Sequence, residues 1–212
     1  MFGDPIINEK GWNKITNTHL CSKIGSGATP KGGNSVYLDN GITFIRSMNV
    51  YDNLFVHNDL AYLNDKMAED LKNVIVEEND ILLNITGASV CRACIVPKEL
   101  LPARVNQHVS ILRYKKCNQS FILHQIINDS FKDNLYKISK SGGATREALT
   151  KSQLENLELI IPPIELQNKF AKIVEQIDKQ KFVCYTFERN IQRIKILWYN
   201  YSIESIGVGI NE

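Results

Sequence analysis

The chain has 212 residues, 43% hydrophobic and 23% charged, and a formal charge of +2. That length suits one well-cored domain with an appended element, and the composition is ordinary for a soluble protein. Up to residue 155 there are 18 Lys and Arg against 16 Asp and Glu, and from 156 onward 7 against 7. This excludes a histone-like basic surface, so any contact with nucleic acid must rest on a local patch.

Residues 12–160 read as mixed, strand-rich structure with many turns. Strands are predicted at 42–50, 74–76, 81–86, 93–96 and 105–114, each rich in β-branched or aromatic residues. Short helices are predicted at 65–72, 120–128 and 146–157, the last with Thr150 and Gln153 at capping-box spacing. Polar or glycine-rich loops occupy 25–35, 86–89 and 139–145. Residues 157–163 form a hinge, a short apolar strand closed by Pro162 and Pro163, with Pro163 suited to begin a helix.

Beyond the hinge no glycine or proline appears before Gly207. Leu166, Phe170, Ile173, Ile177, Gln180, Cys184, Phe187, Ile191, Ile194, Trp198 and Tyr201 recur at alternating spacings of four and three. Only Gln180 interrupts this heptad seam. A stripe that narrow asks for another helix along its length. Residues 164–201 would span roughly 57 Å at about 1.5 Å per residue, between one and two turns of duplex DNA at about 34–36 Å each. The expected fold class is therefore α+β, a strand-rich domain at 1–160, a long coiled-coil helix at 161–206 and a tail at 207–212.

The sequence offers little chemistry. Ile161-Pro162-Pro163-Ile164 is the nearest match to an amino-methyltransferase motif, and it has the wrong residue at both ends. Gly25-Ser26-Gly27 lacks the rest of a phosphate loop. Cys91 and Cys94 form a lone C-x-x-C with no second pair or histidines for zinc, so buried thiols are expected. His19, His57, His108 and His124 are scattered. Five cysteines without framework spacing fit a reducing compartment. No apolar run reaches membrane-spanning length and Met1-Phe2-Gly3-Asp4-Pro5 is no signal peptide, so the cytoplasm is expected and a membrane is not.

Several segments, taken in order, resemble the specificity (S) subunit of type I restriction–modification systems. They begin with Gly11-Trp12, Ile15 and Ile24-Gly25-Ser26-Gly27-Ala28-Thr29-Pro30. Asn79-Asp80-Ile81-Leu82-Leu83 through Gly87 is similar to a recurrent family strand, with Asn79 where glycine is usual. Asn106-Gln107 resembles a family pair. Gly142 to Leu149, then Leu154, Leu157, Ile160 and Pro162-Pro163-Ile164-Glu165-Leu166-Gln167 resemble the entry to the family's conserved helix. Relatives typically carry two target recognition domains and two such helices in one chain, whereas this sequence has one of each. It fits a natural half-subunit, or half of a split or shortened gene.

The resemblance implies a non-catalytic subunit that reads one half-site of double-stranded DNA and places methyltransferase subunits, and optionally a restriction subunit, on a bipartite target. It implies no cofactor on this chain, with S-adenosylmethionine on the methyltransferase. A homodimer through the long helix is expected. The alternative is a coiled-coil scaffold, or a half-subunit that sequesters methyltransferase subunits without reading DNA.

Phosphate contacts position such a protein and base-edge contacts specify sequence. In the 25–35 loop the candidates are Ser26, Thr29, Lys31 and Asn34, with glycines that permit close approach to a phosphate or simply form a solvated turn. Arg46 and Asn49 suit base reading, or equally a salt bridge and a strand-end cap. Ser89 and Arg92 follow the Thr86-Gly87 turn. Lys140, Ser141, Thr145 and Arg146 flank Gly142-Gly143. Asn106 and Gln107 are read as structural, tying down neighbouring backbone.

Overall fold

Asparagine, glycine and aspartate break the first 160 residues into short strands. The computed structural model describes residues 1–141 and 147–207, with backbone alone at 182–188, 190 and 196–207. In chain order it runs through β1 (Lys14–Thr16), α1 (Asn17–Leu20), β2 (Cys21–Ser26), β3 (Ile42–Ile45), β4 (Val50–Tyr51), β5 (Leu54–Phe55) and β6 (Ala61–Leu63). Then come α2 (Asp65–Asp70), β7 (Ile75–Val76), β8 (Ile81–Asn84), β9 (Ala93–Ile95), β10 (Ala103–Val105) and β11 (Val109–Tyr114). The remainder is α3 (Gln119–Ile126), α4 (Asp129–Lys140), α5 (Lys151–Glu155), β12 (Glu158–Ile160) and α6 (Ile164–Gly207).

Two four-stranded sheets carry the domain, in the orders β6-β3-β10-β7 and β2-β11-β8-β9. The second is antiparallel throughout, and in the first only β3 and β10 run parallel. Phe44, Ile45, Ala103 and Val105 from the first sheet share one buried cluster with Leu82, Val109 and Ile111 from the second. Phe121, Ile122, Leu123 and Ile126 of α3 are also buried, and α3 packs on β9.

Two expected strands are each two elements. The 42–50 segment stops at Ile45 and turns through a short 3-10 helix, Ser47–Asn49. Asn49 makes that turn, accepting the Arg46 N–H and donating to the Val56 and Asn58 carbonyls. The 105–114 segment breaks at Asn106, whose side chain accepts the His108 N–H at 3.0 Å. The chain thereby crosses from one sheet to the other. Helix α5 begins at Lys151 rather than 146, because the Thr150–Gln153 capping box is formed there and Ala148 instead bridges Thr86.

An ion pair fastens the start of β8 to β11 in the second sheet, and its arginine reaches β7 of the first. Asp80 takes Arg113 Nε at 2.8 Å and Nη2 at 2.9 Å, while Arg113 also donates to the Ile75 carbonyl at 3.0 Å. The bend ahead of it holds Asn79 at φ 69, a left-handed position that glycine fills most easily and asparagine tolerates.

The chain divides into two units, Met1–Asn168 and Lys169–Glu212. The first turn of α6 belongs with the first, since buried Gln167 accepts the Asn118 N–H and donates to the Pro162 carbonyl. In the second unit Ile173, Ile177 and Ile194 are 39%, 44% and 60% exposed. Leu166 in the first unit is half-buried, as are Phe170 and Ile191 in the second. The side chains of Cys184, Phe187, Trp198 and Tyr201 lie outside the described residues.

Candidate nucleic-acid interface

Strand register brings the candidate loops to one rim. Ser26, at the end of β2, pairs with Ser110, and Asn84, at the end of β8, pairs with Val109. Ile45 and Val105 end β3 and β10 side by side, and Val105 leads through the 106–108 corner into β11. The loops that follow β2, β3, β8 and β10 therefore leave from the same end of both sheets. A fifth segment joins them. Gly87 N–H donates to the Glu147 carbonyl, Leu149 N–H to Ile85, and Ala148 N–H to Ser139 at the end of α4.

The loop from Ser26 to Val36 is fastened at its root. Gly27 N–H donates to the Asn106 carbonyl, and a Cβ at Gly27 would sit 1.7 Å from the Val105 carbonyl oxygen. Glycine is needed there for the protein's own backbone, not for a phosphate. Thr29, Lys31 and Asn34 are exposed and Ser26 half-buried. Asn34 lies in a short 3-10 helix, Gly33–Val36.

Arg46 is half-buried, with its guanidinium over the Tyr37 ring and donating to the Asp59 carbonyl. Its Nε is one of three buried side-chain polar atoms without a partner among the described residues. Asn49 is withdrawn as a base reader: it is 0% exposed and its amide is committed to backbone, so it is the strand-end cap. The exposed residue of that turn is Met48, at 45%, which the sequence did not single out.

Arg92 stacks over Tyr51 at 4.4 Å, a cation–π contact that holds the guanidinium at the rim. Ser89 closes the turn by accepting the Arg92 N–H on its carbonyl. Lys140 Nζ lies 4.1 Å from the centre of the Tyr136 ring, and the Ser141 hydroxyl caps α4 by donating to the Ile138 carbonyl at 2.7 Å. Thr145 and Arg146 lie outside the described residues.

Asn106 and Gln107 divide in role. Asn106 is buried and structural: its N–H donates to Ile45, its carbonyl accepts Gly27, and its side chain accepts His108. Gln107 is exposed, and its amide joins a chain of side chains across three loops. Thr29 Oγ1 donates to Gln107 Oε1, Gln107 Nε2 lies 3.1 Å from His108 Nε2, and His108 Nδ1 lies 2.5 Å from Thr86 Oγ1. This network was not legible in the sequence, because its bonded partners stand 78 and 22 residues apart, the adjacent Gln107–His108 pair excepted.

Cys91 and Cys94 are free and buried. Burial pushes Cys91 up to about 11 and Cys94 up to about 12, so both stay thiols. Among the described residues no three His, Cys, Asp or Glu side chains gather to hold a metal. No helix among them is long and apolar enough to cross a membrane.

A family model, the type I restriction modification DNA specificity domain, matches residues 9–190. The chain is 25% identical over 184 residues to the type I restriction enzyme MjaIX specificity subunit of Methanocaldococcus jannaschii, covering 84% of this chain and 40% of that protein. It resembles the HsdS subunit from Thermoanaerobacter tengcongensis with a TM-score of 0.57 at 19% identity, over 81% of this chain and 38% of that one. A type-I restriction-modification S subunit from M. genitalium gives 0.55 at 14% identity, over 80% and 39%. A chain from a structural study of type I R-M complex assembly and conformational transition gives 0.59 at 20%, over 80% and 39%. At these identities the structural likeness is one of fold. The chain spans 38–40% of the length of these relatives.

Proposed function

The chain belongs to the type I restriction modification DNA specificity family, and from that premise we propose that its first unit reads one half-site of duplex DNA through the rim. One observation carries this reading: strand register gathers the Ser26, Arg46, Thr86, Asn106 and Ser139 loops at a single end of two sheets. Arg46 and Arg92, each stacked on an aromatic ring, are placed to meet guanine edges, and Lys140 to meet phosphate. Thr29, Lys31, Asn34 and Ser89 line the same rim with Ser26 and Ser141, and Thr145 and Arg146 are proposed as further DNA contacts from the sequence alone.

The second unit acts as a ruler. The 44 residues of α6 span about 66 Å at 1.5 Å per residue. The heptad seam pairs with a second helix of the same kind, antiparallel, to hold two reading heads at fixed separation. Where both heads are copies of this chain, the dyad demands a palindromic bipartite target. The chain does no chemistry. It sets methyltransferase subunits, which carry S-adenosylmethionine, onto DNA in the cytoplasm, and a restriction subunit joins the same assembly.

A gel-shift series with and without methyltransferase subunits tests this. Arg92→Ala should cost about 1–3 kcal/mol and relax preference at one position. Lys140→Ala should weaken all sequences alike and reduce the salt slope by about 1. If the chain adds no sequence selectivity to the methyltransferase, it is a scaffold or a sequestering half-subunit instead.

A further inference from the structure

Resting on the DNA-reading assignment, we propose that Met48 is a specificity-determining residue that recognises thymine in the major groove through the methyl group of the base. Met48 stands in the 3-10 turn Ser47–Asn49, where β3 has ended at the rim. Its neighbours turn inward: Asn49 and Val50 are buried and Ser47 half-buried, so Met48 is the one exposed side chain of the turn.

A single exposed apolar side chain is ordinary by itself. What distinguishes this one is the frame beneath it. Asn49 N–H donates to the Arg46 carbonyl at 2.9 Å, and Val56 N–H to the Asn49 carbonyl at 2.8 Å. The Asn49 side chain closes the turn on Arg46, Val56 and Asn58. From the other sheet, the amide of buried Asn84 donates to the Ser47 carbonyl at 2.9 Å and the Val50 carbonyl at 3.3 Å. The Asn84 backbone meanwhile donates to the Arg92 carbonyl at 2.8 Å and accepts the Cys91 N–H at 2.9 Å. One buried asparagine thus fastens the Met48 turn to the loop that carries Arg92, and Arg46 stands two residues before Met48. The methionine shares its frame with both arginines assigned to guanine edges.

Those guanine contacts put the turn at the major groove. A thioether donates no hydrogen bond and accepts only weakly, so it gains little from phosphate or from the polar edges of bases. The apolar group that a base pair displays in that groove is the thymine methyl. An unbranched, polarisable side chain on a fixed turn suits contact with it. Covering one methyl group corresponds to roughly fourfold in affinity.

The test uses the full chain assembled with the methyltransferase subunits of its host, on a duplex carrying the motif methylated in cells. Each thymine is replaced in turn by deoxyuridine, which keeps every hydrogen-bonding group of the base and lacks only the methyl. The wild-type chain should lose roughly fourfold at one thymine of each half-site. Met48→Ala should bind the thymine duplex more weakly by about that factor and no longer distinguish thymine from uracil there, with preferences elsewhere unchanged. Met48→Leu, apolar and close in volume, should restore the distinction. Thermal melts of both variants should match the parent, since the side chain lies outside the core. A motif in which no thymine responds to loss of its methyl would overturn the proposal, as would a thymine effect that persists in Met48→Ala. So would equal weakening of all sequences by Met48→Ala, or weakened assembly with the methyltransferase in its place. Those results would leave DNA reading intact, whereas a wild-type chain that adds no sequence selectivity would overturn both.

Discussion

Replacing Asp80 by alanine should break the ion pair that fastens the start of β8 to Arg113 of β11. The carboxylate is 0% exposed and accepts three hydrogen bonds, two from Arg113 at 2.8 and 2.9 Å and one from the Glu77 N–H at 2.7 Å. Its hydrogen bond is the first cause of the raised Arg113 pKa. Alanine would strand a guanidinium whose side chain is 22% exposed, leaving it only the Ile75 carbonyl and Glu77. Breaking one half of such a pair costs about 3–5 kcal/mol. In a domain of this size that lowers Tm by roughly 6–20 °C. Urea unfolding followed by circular dichroism gives the value directly, with an unchanged m-value as the sign that two-state unfolding persists. Glu77→Gln is the control: the Glu77 side chain is 59% exposed, and its loss should cost less than about 1 kcal/mol. If Asp80→Ala costs no more than Glu77→Gln, the ion pair is incidental to stability and packing alone holds this edge of the domain.

Asn79→Ala should cost about 1 kcal/mol, because at a left-handed φ of 69 alanine keeps the Cβ but lacks the short polar side chain by which asparagine tolerates that region, whereas Asn79→Gly should be close to neutral in the same melts. Cys91 and Cys94 should resist alkylation at about pH 8 in the folded chain and react once urea is added. Their folded values, about 11 and about 12, lie above the ordinary thiol value, so the folded state keeps protons that the unfolded state releases. Their contribution is therefore intact below the ordinary thiol range, and stability should fall as pH rises through it toward 11 and 12. Ile194→Asp, at a seam position 60% exposed in the single chain, removes about 1.5–3 kcal/mol of burial from each of two partners. Sedimentation should show pairing weakened by roughly a hundredfold or more, with the first unit still folded; unchanged association would discharge the seam as the contact.

Local signals carried much of the architecture. Thr150 and Gln153 sit at the start of α5 as their spacing implied, and the strand at 158–160 precedes Pro162. Helix α4 was overlooked although Asn128 caps it and Phe131 and Leu135 stand one turn apart on its buried side. Strand β2 left almost no trace, since Cys21-Ser22-Lys23-Ile24-Gly25-Ser26 has one strong apolar residue and is defined by pairing with β11, some 90 residues away. Runs of β-branched residues at 42–50 and 105–114 looked continuous because propensity cannot see a single buried asparagine turning the backbone. The site suffers most from this. Arg46 and Asn49 are equally polar in sequence, yet one reaches the rim and the other is enclosed. Gln107 is conspicuous only once the corner places it between Thr29 and His108.

Hydrogen–deuterium exchange on the full chain, with and without a duplex carrying the motif methylated in cells, tests the reading rim most directly. Protection should appear at 26–36, 46–49, 86–92 and 106–108, with little change at the opposite ends of the sheets. Protection confined to α6, or spread evenly over the first unit, would contradict a rim that reads DNA.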